Sequence, residues 1–149
     1  MIASLMTEGT PTLVETQTGY YIRLYSDMYR IRQEDYYLLD FIINKLPSDV
    51  QVNFTTAGED TKLNIQSVWY RDNKVSIEFV KEVIGTVKEI ETDGNILLNI
   101  QNNRGDLIGI FHKSIETIIR EKLYYSVSGF VLNFKDKRYF IVTDAYIVS

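Results

Sequence analysis

The stretch that decides the fold is residues 82–148, EVIGTVKEIETDGNILLNIQNNRGDLIGIFHKSIETIIREKLYYSVSGFVLNFKDKRYFIVTDAYIV. It reads as three strands, a short helix and two more strands. Asp93-Gly94 tolerates the positive φ of a two-residue hairpin turn, so Glu82–Glu91 should fold back onto the next strand. There Ile96, Leu98 and Ile100 alternate with Leu97, Asn99 and Gln101, the period of a strand with two unlike faces. The polar turn Asn102-Asn103-Arg104-Gly105 leads into Leu107–Phe111. Ser114 can cap a helix, and Ile115, Ile118, Ile119 and Leu123 carry its apolar stripe. Glu116 and Arg120 are placed to pair four residues apart. Tyr125, Val127, Gly129 and Val131 then form one strand face. Lys135-Asp136-Lys137 turns the chain into Tyr139–Ala145.

This order and these lengths resemble the OB-fold, a five-stranded Greek-key barrel. Gly85 sits where the first strand of such barrels coils, since a strand glycine often marks a bend. Gly129 looks like their fourth-strand glycine. The resemblance covers less than half the chain and rests on pattern rather than on a signature motif. It implies a fold class that is mainly β, α+β overall. A C-terminal OB-like barrel over 81–149 carries a helix between its third and fourth strands. A small α+β region over 1–80 precedes it.

Working outward, Thr12–Val14, Tyr20–Tyr25 and Met28–Ile31 are strand-like, with a turn expected at Ser26-Asp27. Over Gln33–Leu46 the apolar period changes to that of a helix, through Tyr36, Leu39, Ile43 and Leu46, widened by Phe41 and Ile42. Asp40 and Asn44 fall on the other side. Glu34 and Asp35 suit the first turn, where negative charge complements the helix dipole, and Pro47 stops the helix. Strands follow at Val50–Thr55, at Leu63–Trp69 with Leu63, Ile65, Ser67 and Trp69 on one face, and at Val75–Phe79. The last can run on into Glu82–Glu91. The loose repetition of strand order also allows a degenerate tandem of two barrels.

Composition narrows the function classes. The 149 residues include no Cys and one His, which removes disulfides and thiolate metal sites. Residues 1–6 have no basic leader, and no apolar run approaches the roughly 18 residues of a membrane span. A cytoplasmic protein is the expectation. Residues 1–80 carry 7 Lys or Arg against 11 Asp or Glu, and residues 81–149 carry 9 of each. An acidic chain is a poor duplex-DNA binder. It suits a binder that relies on stacking and one local basic groove.

Catalytic chemistry has little to stand on. The one histidine, His112, would need a nucleophile or carboxylate held beside it to act as a general base, and its neighbours Phe111 and Lys113 suggest a strand end. Glu89, Glu91 and Asp93 match no calcium loop. Gly105–Gly109 lacks the Lys-Ser/Thr ending of a phosphate-binding loop. No cofactor and no metal are expected, and the chain reads as non-enzymatic.

The resemblance implies single-stranded nucleic acid, DNA first, as for the single-stranded-DNA-binding proteins of this fold. Strands two and three would offer Asn99, Gln101, Arg104 and Phe111, with Lys88 nearby. The last hairpin loop would add Lys135, Lys137, Arg138 and Tyr139. The first half adds a second platform in which rings and cations interleave, through Tyr20, Arg23, Tyr25 and Arg30. The other reading is a protein-interaction or assembly module, in which exposed strand edges and abundant Tyr serve a homo-oligomer or protein partner.

Overall fold

The computed structural model describes residues 2–4, 11–56, 62–92, 95–112, 115, 119–120 and 123–148. The chain divides into two compact units, Met1–Val75 and Ser76–Ser149. The expected Asp93-Gly94 turn and most of the helix after Ser114, with its Glu116–Arg120 pair, lie outside the described residues.

The first unit contains β1 (Ile2–Ser4), β2 (Thr12–Thr16), β3 (Gly19–Leu24), β4 (Asp27–Ile31), α1 (Gln33–Lys45), β5 (Val50–Thr56), β6 (Leu63–Tyr70) and β7 (Asn73–Lys74). Its strands form two open sheets, β2-β3-β4 and β1-β5-β6-β7, with β1 parallel to β5. Among the described residues this unit holds no second closed barrel. The helix ends where Pro47 predicts, with the Leu46 N–H donating to Ile42 O at 3.2 Å. Its buried face runs through Asp35, Leu38, Leu39 and Ile42, while Tyr36 and Ile43 are half-buried. Leu39, Phe41, Ile42 and Leu46 of the expected stripe are buried, Tyr37 and Leu38 join them, and an acid lies inside the buried face.

The face expected of β6 is also corrected. Its ladder with β5 shifts register so that Phe54 pairs with Ile65 and Asn53 with Ser67, leaving Gln66 as an extra residue. Side chains alternate with period 2, so one extra residue exchanges the faces. Leu63 is buried before the bulge and Val68 after it, whereas Ser67 and Trp69 are half-exposed.

The second unit is a closed five-stranded barrel of β8 (Ser76–Ile90), β9 (Ile96–Ile100), β10 (Leu107–Phe111), β11 (Tyr124–Phe134) and β12 (Lys137–Ile147). The order is β10-β12-β11-β8-β9, with β10 parallel to β12 and every other pair antiparallel. This mixed barrel is consistent with an OB-like fold. Residue 80, the boundary read from sequence, falls inside β8. That strand is long because it serves two partners. Residues up to Thr86 pair with β11, and residues from Gly85 onward pair with β9. Closure joins β10 to β12 and β9, while residues 76–83 of β8 pair with β11 alone.

Alternation filled the barrel as expected. Ile96, Leu98, Ile100, Leu107, Tyr125, Val127, Val131 and Phe140 form its core. Each fully buried Leu or Phe stabilises the unit by roughly 1.5–3 kcal/mol. The Tyr125 phenol is wholly buried and satisfied, accepting the Arg120 N–H at 2.6 Å and donating to Arg120 O at 3.1 Å.

Three residues before Gly85, where β8 begins to pair with β9, Glu82 takes a left-handed conformation (φ 52°). There Lys81 and Glu82 oppose Ser128 alone, and on the other side β12 carries Thr143 as an extra residue. Ser128 answers both bulges. Its hydroxyl accepts the Glu82 N–H at 2.9 Å, and its carbonyl accepts the Thr143 hydroxyl at 3.1 Å. Gly129 follows because the strands approach too closely for a side chain: a Cβ there would lie 2.1 Å from Ile141 O.

Candidate nucleic-acid interface

Where β8 passes from β11 to β9, the outer surface of the barrel holds a groove of about 360 Å³. Ile84, Thr86 and Tyr124 line one side, and Asn99 and Gln101 the other. Register explains the grouping. Thr86 pairs with Tyr124 on one neighbour and with Asn99 on the other. Gly85, on the floor, pairs with Tyr125 and Ile100. A Cβ at Gly85 would come within 3.1 Å of Val127 Cγ2 and 3.4 Å of Ile100 Cγ2, both buried in the core, so glycine lets β8 lie close over the core beneath the groove.

Hydrogen bonds fix the walls. The Gln101 N–H donates to Ile84 O at 2.8 Å, extending the β8–β9 ladder. Thr86 Oγ1 donates to Leu123 O at 3.1 Å, and the Val148 N–H to Tyr124 O at 3.0 Å. These bonds hold the start of β11, and with it a Tyr124 side chain on a residue 53% exposed. The lining carries no formal charge. It offers a ring, an aliphatic side chain, two amides and a hydroxyl, which together can stack a planar group and read its polar edge.

The cations lie beyond one end of this groove. Gln101 opens the β9–β10 turn, and Arg138 reaches back to that turn, donating to Arg104 O and Asn103 Oδ1. Arg138 thus ties the β11–β12 hairpin to the β9–β10 turn, and Arg104 and Lys137 are exposed beside that link. Lys135 is exposed at the hairpin tip, its ammonium 5.7 Å from the Phe134 ring centroid.

The expected site residues therefore divide. Asn99 and Gln101 fall together in the groove, and Arg104, Lys135 and Lys137 gather near one end of the barrel. Arg138 is engaged in holding the turn. Lys88 forms an ion pair with Asp106 at 3.0 Å. Phe111 packs against the barrel core, and Tyr139 is half-buried. The bulk of Phe111 is drawn inward because a short closed barrel needs large side chains to fill it.

Tyr20, Arg23, Tyr25 and Arg30 lie in the first unit and do not form one surface. The Tyr20 ring packs inward on Tyr36 and Tyr37 of α1, with centroids 4.9 and 6.2 Å away. Burial, followed by its hydrogen bond with Tyr37, pushes the Tyr20 phenol up to about 12. Tyr25 stands in the β3–β4 turn, while Arg23 and Arg30 lie on the outer sheet face.

Sequence reasoning missed Ile84, Thr86 and Tyr124. The pair Tyr124-Tyr125 carried a signal, because adjacent rings in a strand point to opposite faces. Which neighbours the outward ring meets depends on the topology. Among the described residues no three or more His, Cys, Asp or Glu gather as a metal site, and no helix is long and apolar enough to cross a membrane. Comparison with known proteins matches the chain to no family model, no curated protein and no solved structure.

Proposed function

We propose that this chain binds single-stranded nucleic acid, DNA in the first instance, and does no chemistry on it. A base enters the barrel groove against Tyr124 and Ile84, and Asn99 and Gln101 meet its edge. Arg104, Lys135 and Lys137 take phosphates beyond the groove end. The observation that carries this reading is the exposed Tyr124 ring standing beside two amides in an uncharged groove. Base–aromatic stacking contributes about 1–3 kcal/mol per base. Duplex DNA keeps its bases stacked inside the helix and cannot use such a groove.

The test is fluorescence polarisation with labelled single-stranded and duplex oligonucleotides at two salt concentrations. Tyr124→Ala should weaken single-strand binding by about 1–3 kcal/mol at both salts. Lys135→Ala with Lys137→Ala should weaken it mainly at low salt and flatten the salt dependence, by about 0.7 in log–log slope for each phosphate no longer neutralised. Equal affinity for duplex and single strand would count against the groove. A second reading draws on the exposed Tyr146, Ile147 and Val148 at the end of the chain, which suit an assembly module. Binding to neither nucleic acid, with a sedimentation coefficient that rises with concentration, would favour that reading.

A further inference from the structure

The sheet β2-β3-β4 sorts its charges by face. Register places Val14, Tyr21 and Arg30 in one row across the three strands, and Thr12, Arg23 and Met28 in the next. All six share the face opposite Tyr20, Ile22 and Leu24, because alternate residues of β3 point to opposite sides. Glu15 pairs with Tyr20 and Asp27 with Leu24, so the carboxylates of these strands belong to the other face. The outer face therefore carries two guanidinium groups and no acid, in a chain of net charge -4. Among the described residues no carboxylate lies within ion-pair distance of Arg23 or Arg30.

Two of these side chains are held in place. The Tyr21 hydroxyl is 2.9 Å from Thr18 Oγ1. Arg30 Nη2 donates to Thr18 O at 3.4 Å, and a Cβ at Gly19 would lie 3.4 Å from that nitrogen, so the guanidinium rests against the bare turn. Arg23 is a diagonal cross-strand neighbour of Arg30, a placement that separates residues by roughly 7–8 Å. The Arg30 guanidinium, lying against Gly19, reaches along β3 away from Arg23, so the two cations flank Tyr21 on one face. Tyr21 lies directly beside Arg30 and two residues from Arg23.

We infer that this face is a second contact surface for single-stranded nucleic acid, with Arg23 and Arg30 on phosphates and Tyr21 stacked on a base. The inference rests on the reading of the chain as a single-strand binder. Charge complementarity selects a polyanion. The ring selects nucleic acid over an acidic peptide, which would use the cations alone. A membrane surface needs a broad apolar face, and Met28 is the one strongly exposed large apolar side chain of this face.

The test uses the full chain and a labelled oligothymidylate in polarisation titrations across salt. The double variant Arg23→Gln/Arg30→Gln should lose about tenfold or more in affinity at low salt. Its log–log salt slope should flatten by about 1.4, two phosphates at about 0.7 each. Tyr21→Ala should lose about fivefold or more, and Tyr21→Phe should retain wild-type affinity. Circular dichroism checks that each variant is folded. Unchanged affinity and slope in the double variant, while Tyr124→Ala binds weakly, would remove this face and leave the groove reading intact. No oligonucleotide binding by the wild type would remove both. Loss of binding to a polyglutamate peptide or to phosphatidylserine vesicles in the double variant, with oligothymidylate binding unmoved, would assign the face to another polyanion and overturn the inference.

Discussion

Each unit interrupts a ladder with a bulge beside a backbone N–H that faces a polar side chain, and the two use opposite chemistry. In the barrel the Glu82 N–H is met by the Ser128 hydroxyl, a neutral group. In the first unit the Asp35 carboxylate from α1 lies beside the Ile65 N–H, next to the Gln66 bulge, near enough for that N–H to favour its charged form. Asp35 is 1% exposed and is also held by Arg32, whose Nε and Nη2 donate at 3.2 and 3.0 Å. A neutral buttress costs little desolvation but demands close backbone approach. A charged buttress reaches across from another element, at the cost of burying a carboxylate. The barrel should therefore be limited by space and the first unit by protonation.

The largest effect should come from breaking the spatial side of this contrast. Gly129→Ala puts a methyl 2.1 Å from Ile141 O, a backbone atom that cannot rotate away. Overpacking of flexible cores costs about 1–3 kcal/mol, and a clash with backbone at a double bulge should reach or exceed the top of that range. Urea unfolding followed by far-UV circular dichroism reads it. A midpoint equal to wild type would mean that β11 and β12 separate at little cost, and that closeness at Gly129 does not shape the barrel.

The charged side is tested at Asp35. Asp35→Ala removes a buried group held by two Arg32 hydrogen bonds and should cost about 1–3 kcal/mol. The sign with pH is more telling. Burial outweighs the Arg32 hydrogen bonds and charge, so the Asp35 pKa stands above its ordinary 3.8. The folded chain thus holds this proton more readily than the unfolded chain. The associated stability is fully present below about pH 4 and is lost as pH rises through the raised folded value. The stability of wild type relative to Asp35→Asn should therefore fall as pH rises from about 4 toward neutrality. The single Trp, Trp69 on β6, is a local probe for the urea titration. A difference independent of pH would show that Asp35 titrates alike in both states. Ser128→Ala in the barrel should show no such pH dependence.

The same contrast governs how much was legible. Periodicity exposed the barrel because Ile96, Leu98, Ile100 and Leu107 obey a rule every strand obeys, and the five-strand order carried the fold class. Bulges are not written in that period. Gln66 moved Trp69 off its expected face, and the positive φ at Glu82 left no mark on the alternation. The groove was half-visible. Asn99 and Gln101 were readable as outward residues of one strand, but Tyr124 joins them only through the β8–β11 register. Arg138 and Lys88 looked like free cations because nothing local reveals partners 34 and 18 residues away. In the first unit Asp35 looked like a first-turn acid, and its burial follows from where β6 lies.

The smallest expected effect concerns a turn that the sequence conceals. Tyr25 has φ 57° and stands with Ser26 between the paired residues Leu24 and Asp27. The turn is thus one residue earlier than Ser26-Asp27. Tyr has strand propensity, which made it look like the end of β3. In the left-handed region an L-residue other than Gly, Asn or Asp costs roughly 1–2 kcal/mol. Tyr25 is 67% exposed, so little packing offsets that cost. Asn tolerates this conformation better and avoids the extra chain entropy that Gly adds to the unfolded state. Tyr25→Asn should accordingly raise the urea midpoint followed at Trp69 by an amount worth about 0.5 kcal/mol, without changing nucleic-acid affinity. A gain in stability with a loss of binding would show that the ring is kept in a strained turn for contact. The single-strand surface of the first unit would then extend from Tyr21, Arg23 and Arg30 to the hairpin tip.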